Sequence, residues 1–158
     1  MKIGIISDTH GDIPSGRKAI KSMGKIDLLI HAGDTYRDAM LLKEVTKLDV
    51  LAVKGNTDFD CEAPSEATIN VKGKKIFLSH GDKYNVKYSL DKMYYKALET
   101  NSNIMIFGHT HIPTYVKEGG IVFINPGSVS RPRGGNKPSY VVMNIDEEGV
   151  KVNLYELK

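Results

Sequence analysis

Five short apolar runs, each closed by a polar turn carrying Asp, Asn or His, constrain this chain more than any other feature. The runs are residues 2–7, 28–32, 50–54, 75–79 and 104–107. The turns that close them read Asp8-Thr9-His10, Gly33-Asp34, Gly55-Asn56-Thr57-Asp58, His80-Gly81-Asp82 and Gly108-His109-Thr110-His111. Short apolar runs that end in a polar, glycine-containing turn read as buried strands. Ligands at strand ends lie along one edge of a sheet, so residues a hundred positions apart can converge there.

The 158 residues suit one ordinary domain (residues 1–158) with a real core. A hydrophobic content of 41% with 26% charged residues is that of a globular chain, not a disordered one. The net charge of +3 is too small for a broad phosphate-contact surface, which argues against nucleic acid as a stable partner. The most basic stretch, residues 131–137, is rich in Gly and Pro and reads as a loop. No apolar run approaches membrane-spanning length, and no signal peptide is evident at the N-terminus. The single Cys61 has no internal partner and fits a reducing cytoplasm. Without an adjacent His or Lys to activate it, it does not read as a nucleophile.

The first half alternates strand and helix. Residues 13–23 and 37–48 are the helices, and the pattern implies a parallel sheet with right-handed crossovers. Residues 67–71 and 75–79 flank Lys72-Gly73-Lys74 as a hairpin, and residues 86–99 form a third helix. The last third is β-rich: residues 114–117, 120–124, 139–145 and 150–156. A parallel start and an antiparallel finish predict two sheets packed face to face with helices outside.

The chemistry lies in the turns. Asp8 and His10 are two residues apart, as are His109 and His111, a spacing that puts both side chains of a pair on one face of a strand and in a tight turn can also aim both at one ion. Asp34, Asn56 and His80 follow strands of their own. Imidazole, carboxylate and amide without thiolate suit first-row divalent metals: Mn, Fe, Co, Ni or Zn. Seven candidates exceed one tetrahedral zinc and match two metals sharing a carboxylate, roughly 3.5–4 Å apart with a bridging water. Two divalent ions bring four positive charges, and Asp8 and Asp34 cancel only two. The excess attracts a phosphate ester and stabilises the charge that builds in its transition state.

The ordered set Asp8-x-His10, Gly33-Asp34, Gly55-Asn56, His80 and Gly108-His109-x-His111 resembles the calcineurin-like metallophosphoesterases. Asn125-Pro126-Gly127-Ser128 with Arg131-Pro132 looks like their small stand-alone bacterial and archaeal phosphodiesterase branch. The resemblance implies a four-layer αββα sandwich of two mixed sheets with flanking helices. It implies that Asp8, His10 and His111 hold one metal, that Asn56, His80 and His109 hold the other, and that Asp34 bridges. The activity it implies is hydrolysis of a small phosphodiester by a metal-bridging hydroxide, with manganese the first expectation. A phosphomonoesterase acting on nucleotides or proteins is the alternative within enzymes. A scaffold similar to the retromer subunit of this fold is the alternative outside them, although such a scaffold is free to lose ligands and this chain has every candidate. A homo-oligomer is compatible with the sequence.

One departure stands out. Much of that superfamily has a His directly after the Gly-Asn pair, where this chain has Thr57 followed by Asp58. Threonine supplies no proton near neutral pH, which leaves Asp58, a water or a metal-bound group as substitutes, or no strong general acid at all. Arg37 and Ser128 are candidate contacts to the substrate phosphate. Asp82 is a turn former or a support for the ligands. His31, inside a buried run, reads as orienting a neighbour, not as a ligand. Tyr84, Tyr88, Tyr94 and Tyr95 read as core or interface residues before they read as a stacking platform.

Overall fold

In the computed structural model, which describes residues 1–158, ten strands form two five-stranded sheets. The first sheet has the order β10-β9-β1-β2-β3. It comprises β1 (Lys2–Ile6), β2 (Leu28–His31), β3 (Val50–Ala52), β9 (Ser139–Ile145) and β10 (Val150–Glu156). The second, ordered β4-β5-β6-β8-β7, comprises β4 (Glu66–Val71), β5 (Lys74–Ser79), β6 (Ile104–Ile106), β7 (Thr114–Glu118) and β8 (Ile121–Asn125). Helices α1 (Ile13–Met23) and α2 (Tyr36–Thr46) lie against the first sheet, and α3 (Asp91–Thr100) against the second.

Strand alternation builds the four layers. Ile3 and Ile5 of β1, Val141 and Met143 of β9, Ile76 and Leu78 of β5, and Ile104 and Ile106 of β6 all meet between the sheets. The intervening residues face the helices: Ile6 and Val142 pack with Ala19, Ile20 and Leu42 of the helical layer. Phe77, Met105 and Phe123 pack with Met93 and Ala97 of α3. Strands covered on both faces need apolar residues at nearly every position, which is why these runs do not alternate in the sequence. Each fully buried aliphatic side chain contributes about 1.5–3 kcal/mol.

Helix α1 starts where Asp12 accepts the Ser15 N–H (3.0 Å) with Pro14 in the first turn, and it stops at Gly24, whose φ is +67°. At Gly4 a Cβ would lie 2.8 Å from the Ile26 side chain and overlap Met23, so glycine lets the helical layer approach β1.

Three expectations need correction. Parallel pairing is not confined to the start of the chain: β8, in the last third, runs parallel to β6. β9 carries apolar residues on both faces and inserts beside β1, whereas β7 and β8 complete the second sheet. The third helix does not begin at Val86. A 3-10 turn spans Asp82–Tyr84, Asn85 has φ +54°, and α3 starts at Asp91, whose N–H is accepted by the Ser89 hydroxyl. The second helix ends at Thr46, with Lys47 left-handed behind it.

Candidate metal centre

The C-terminal ends of the parallel strands β1, β2, β3, β5 and β6 project their turns to one edge, and the seven candidates converge there. Asp8, His10 and His111 form one cluster of potential ligand atoms, and Asp8, Asp34 and His80 form a second. His111 Nε2 lies 3.0 Å from Asp8 Oδ1 and 3.3 Å from His10 Nε2. His80 Nε2 lies 3.4 Å from Asp34 Oδ2 and 3.1 Å from Asn56 Oδ1. Asp34 Oδ2 is also 4.0 Å from His10 Nε2, so it sits between the two groups. The His109 ring stands edge-on to His80, with centroids 5.0 Å apart. Asp8 belongs to both clusters, so the geometry gives two carboxylates a central position where the sequence pointed to Asp34 alone.

The backbone is shaped to this end. Asp8, His10, Asp34, His109 and His111 all have positive φ, which non-glycine residues adopt at a cost. The motif glycines have a packing reason. A Cβ at Gly55 would overlap the Asp34 carboxylate, and one at Gly108 would overlap Ser7 and lie 2.7 Å from Asp8 Oδ2.

Hydrogen bonds aim the ligand atoms. His80 Nδ1 donates to the Ala32 carbonyl (2.8 Å) and His111 Nδ1 donates to the Arg131 carbonyl (2.6 Å). In each neutral ring this leaves the Nε2 lone pair facing the site. Asp8 Oδ2 accepts the His109 N–H, and Asp34 Oδ1 accepts the Thr57 N–H. Asp8 Oδ1 is buried and has no hydrogen-bond partner. A buried carboxylate oxygen without a donor, facing imidazole lone pairs, is costly unless a cation lies among them. The donor set therefore fits divalent metal.

Electrostatics agree. Burial disfavours the protonated forms of His10 and His109 more strongly than nearby carboxylates favour them, so both are held below the usual histidine value. Burial also opposes protonation of His80, but Asp34 and Asp8 prevail and raise it. Burial pushes the Asp34 carboxyl up, while His80 and Thr57 pull it down harder, to well below the usual carboxylate range.

A model of the calcineurin-like phosphoesterase superfamily domain matches residues 1–148. The chain belongs to this superfamily. It is 31% identical over 157 residues to the probable metallophosphoesterase YsnB of Bacillus subtilis, covering 99% of this chain and 91% of that protein. It is 29% identical over 171 residues to the phosphodiesterase YfcE of Escherichia coli, covering 92% and 89%. Among solved structures, a predicted phosphoesterase from Streptococcus pneumoniae superposes with a TM-score of 0.84 at 31% identity, covering 99% of this chain and 92% of that one. Vps29 of Entamoeba histolytica shares the fold, with a TM-score of 0.78 at 21% identity and full coverage of both chains.

Within this phosphoesterase fold, two expected side chains do other work. Ser128 is fully buried; its hydroxyl donates to the Asp8 carbonyl (2.8 Å) and accepts the N–H groups of Ser130 and Arg131. It fixes the turn that carries Asp8 and is not free to meet a phosphate. Both Asp58 oxygens accept backbone N–H groups, from Tyr36 (2.9 Å) and Gly55 (2.8 Å). Asp58 thus ties the Asn56 turn to the start of α2. Arg37 is exposed in the first turn of α2 with no carboxylate partner. The tyrosines stand apart: Tyr84 donates to Glu66, Tyr94 stacks on Phe123, and Tyr88 and Tyr95 are exposed.

His31 supports the site from beneath. The Gly33 N–H donates to Nδ1 (3.2 Å), so Nε2 carries the hydrogen and donates to Thr9 Oγ1 (3.0 Å). The Thr9 hydroxyl in turn donates to Asp38 Oδ2 (2.6 Å), which also accepts the Gly11 N–H. Sequence reasoning missed Asp38. A lone Asp inside a helix carries no signal, and only its position one turn beyond the Asp34 turn hints at a role. Asn125 was legible only as part of a motif, without its role: the amide donates to the Gly108 carbonyl and Thr110 hydroxyl and so holds the His109-Thr110-His111 turn.

Proposed function

We propose that this chain is a phosphodiesterase that works with two divalent metal ions. The observation that carries the reading is the buried, donor-less Asp8 Oδ1 facing His111 Nε2 beside Asp34 Oδ2. In this reading Asp8, His10 and His111 would hold one ion and Asn56, His80 and His109 the other, with Asp34 placed to serve both. Such ions supply Lewis acidity toward the phosphoryl oxygens and activate water for attack on phosphorus.

The chain's own groups orient and hold protons. His80 and His111 keep theirs at Nδ1, against the carbonyls of Ala32 and Arg131. Asn56 and Thr57 are exposed at the rim, where a substrate ester meets the site. The Thr57 hydroxyl keeps its proton near neutral pH and the Asp58 carboxylate is engaged with two backbone N–H groups, so in this reading the departing oxygen leaves without help from a side-chain acid. That favours diesters with good leaving groups.

A diester substrate is supported by phosphodiesterase-named relatives such as YfcE. A scaffold function has less support, because every candidate ligand is retained. Manganese is the expected ion, with iron, cobalt, nickel and zinc suited to the same donors. The lone, half-buried Cys61 agrees with a reducing, cytoplasmic setting. No helix is long and apolar enough to cross a membrane.

The test is hydrolysis of bis-p-nitrophenyl phosphate and of p-nitrophenyl phosphate by protein stripped with chelator and then reloaded with each metal. Diester turnover should appear only on reloading and exceed monoester turnover. Full diester turnover by demonstrably metal-free protein would end the metalloenzyme reading.

A further inference from the structure

A cleft of about 370 Å3 opens beside the histidine turn, lined by Val86, Lys87, Thr110, Ile112, Thr114 and Arg133. It adjoins the turn that carries His109 and His111. Thr110 lies between His109 and His111 in the chain, and the Arg133 N–H donates to the His111 carbonyl (3.2 Å). Lys87 is close enough for its charge to disfavour protonation of His109.

The cleft walls have distinct characters. Val86 and Ile112 supply apolar surface. The Thr110 hydroxyl accepts the Ile112 N–H, and the Thr114 hydroxyl donates to the Ile112 carbonyl (3.2 Å), so both threonines shape the wall and leave recognition to the cations. Lys87 and Arg133 are exposed, and neither side chain has a carboxylate within ion-pair distance or a hydrogen-bond acceptor. Asp82, the acidic group nearest His109 on this side, lies outside the lining. Most surface cations need no explanation. Two unpaired ones facing a single cleft, on segments far apart in sequence and next to a phosphoesterase centre, form an anion-binding arrangement.

We propose that this cleft receives a second phosphate, carried on one ester arm of the substrate, so that the preferred substrates are phosphodiesters bearing a further phosphate group. The inference rests on the phosphodiesterase reading above. The scissile phosphate sits at the metal centre, the body of the arm lies along Val86 and Ile112, and Lys87 and Arg133 clasp the terminal phosphate. A guanidinium offers paired donors to phosphate oxygens and an ammonium adds a point charge. Because both cations are exposed, their joint effect is modest, about ten-fold in affinity.

A matched pair of probes tests this: the p-nitrophenyl ester of thymidine 5′-phosphate, and the same ester with an added 3′-phosphate. The wild-type protein should show a KM about ten-fold lower for the 3′-phosphorylated ester. In Lys87→Gln/Arg133→Gln the ratio of the two KM values should collapse toward one, and in Lys87→Arg/Arg133→Lys it should persist. Calorimetry with thymidine 3′,5′-bisphosphate against thymidine 5′-monophosphate gives a reading that needs no turnover, and the same preference and the same collapse are expected. Equal binding of the two nucleotides by the wild type would overturn the cleft assignment and leave the phosphodiesterase reading intact. Bisphosphate preference that depends on Lys87 and Arg133, with no diester hydrolysed by metal-loaded protein, would leave the cleft standing and overturn the phosphodiesterase reading.

Discussion

Asp8 Oδ1 and His111 Nε2 lie 3.0 Å apart with no hydrogen between them to share. The Arg131 carbonyl takes the ring proton at Nδ1, and the Asp8 oxygen has no other donor. Two facing acceptors repel, and His10 Nε2 stands 3.3 Å from His111 Nε2 on the same side. A divalent cation turns that repulsion into coordination. Loading with manganese should therefore raise the unfolding temperature as well as create activity. At a hundred-fold excess of ion over its dissociation constant the gain is about 2.7 kcal/mol. Scanning calorimetry with and without chelator measures it, and an unchanged transition would mean that the folded state does not bind the ion.

Asp34 is the residue whose loss should be felt at both ions. Asp34→Asn keeps the side chain's shape and removes the charge between His80 and His10. Activity should fall almost completely, with at least one metal equivalent lost per chain. Metal analysis after gel filtration reads the second effect. Two retained equivalents with normal turnover would remove Asp34 from the bridging position.

His31 makes a prediction about pH. Full burial holds its imidazole down to about 4, against an unfolded value of about 6.5. Between those values the unfolded chain takes up a proton that the folded chain refuses. Stability is therefore whole above about pH 6.5 and drains away as pH falls toward 4, by roughly 3 kcal/mol across the window. Urea denaturation of chelator-treated protein from pH 7.5 to 4.5 should show this slope. His31→Asn should be less stable at pH 7.5, because Thr9 loses its donor, yet lose less on acidification, while keeping its metal. An unaltered slope in the variant would assign the acid lability to other groups.

Gly108 should tolerate no side chain. A Cβ there meets Ser7 and the Asp8 carboxylate and lies 3.1 Å from the Ala32 carbonyl, all fixed parts of buried turns. Gly108→Ala should cost about 1–3 kcal/mol of stability, in the range of overpacked cores, and displace Asp8 from the site. Metal affinity, by titration with manganese, should fall with it. Native stability and affinity would show that the turn relaxes without moving Asp8.

The candidate site was legible because its ligands are polar residues that break apolar runs, at spacings of two within a turn. The strands were legible for the same reason. What escaped was interaction without a sequence signal. Asp38 sits in an ordinary helical pattern, and Ser128 in the Asn125-Pro126-Gly127-Ser128 turn looked ready for substrate although it binds the Asp8 carbonyl from behind. The placement of β9 next to β1 also escaped, because Val141 and Met143 would suit a central position in either sheet. The start of α3 at Asp91 was misread, because residues 86–90 run on into the helical pattern while residues 85–88 form a separate turn, closed by the Tyr88 and Ser89 N–H groups on the Asn85 carbonyl.

Thr57 leads to the last prediction. Its N–H is spent on Asp34 and its side chain is exposed at the rim, where an imidazole would be placed to protonate a leaving oxygen. Asp58 is held in the turn, both of its oxygens accepting backbone N–H groups. A leaving group that departs as an anion imposes its own basicity on the barrier. General acid catalysis contributes roughly 10²–10⁴-fold, and its absence should weigh most on alkyl esters. Turnover should therefore be good for nitrophenyl diesters and much weaker for simple alkyl ones, with rates falling steeply as leaving-group pKa rises. Thr57→His should improve the alkyl esters selectively, flattening the dependence, and Asp58→Asn should leave its slope unchanged. The measurement is a rate series across leaving-group pKa for the three proteins at fixed metal loading. A flat dependence in the wild type would reveal a proton donor already at work, and loss of that flatness in Asp58→Asn would name it.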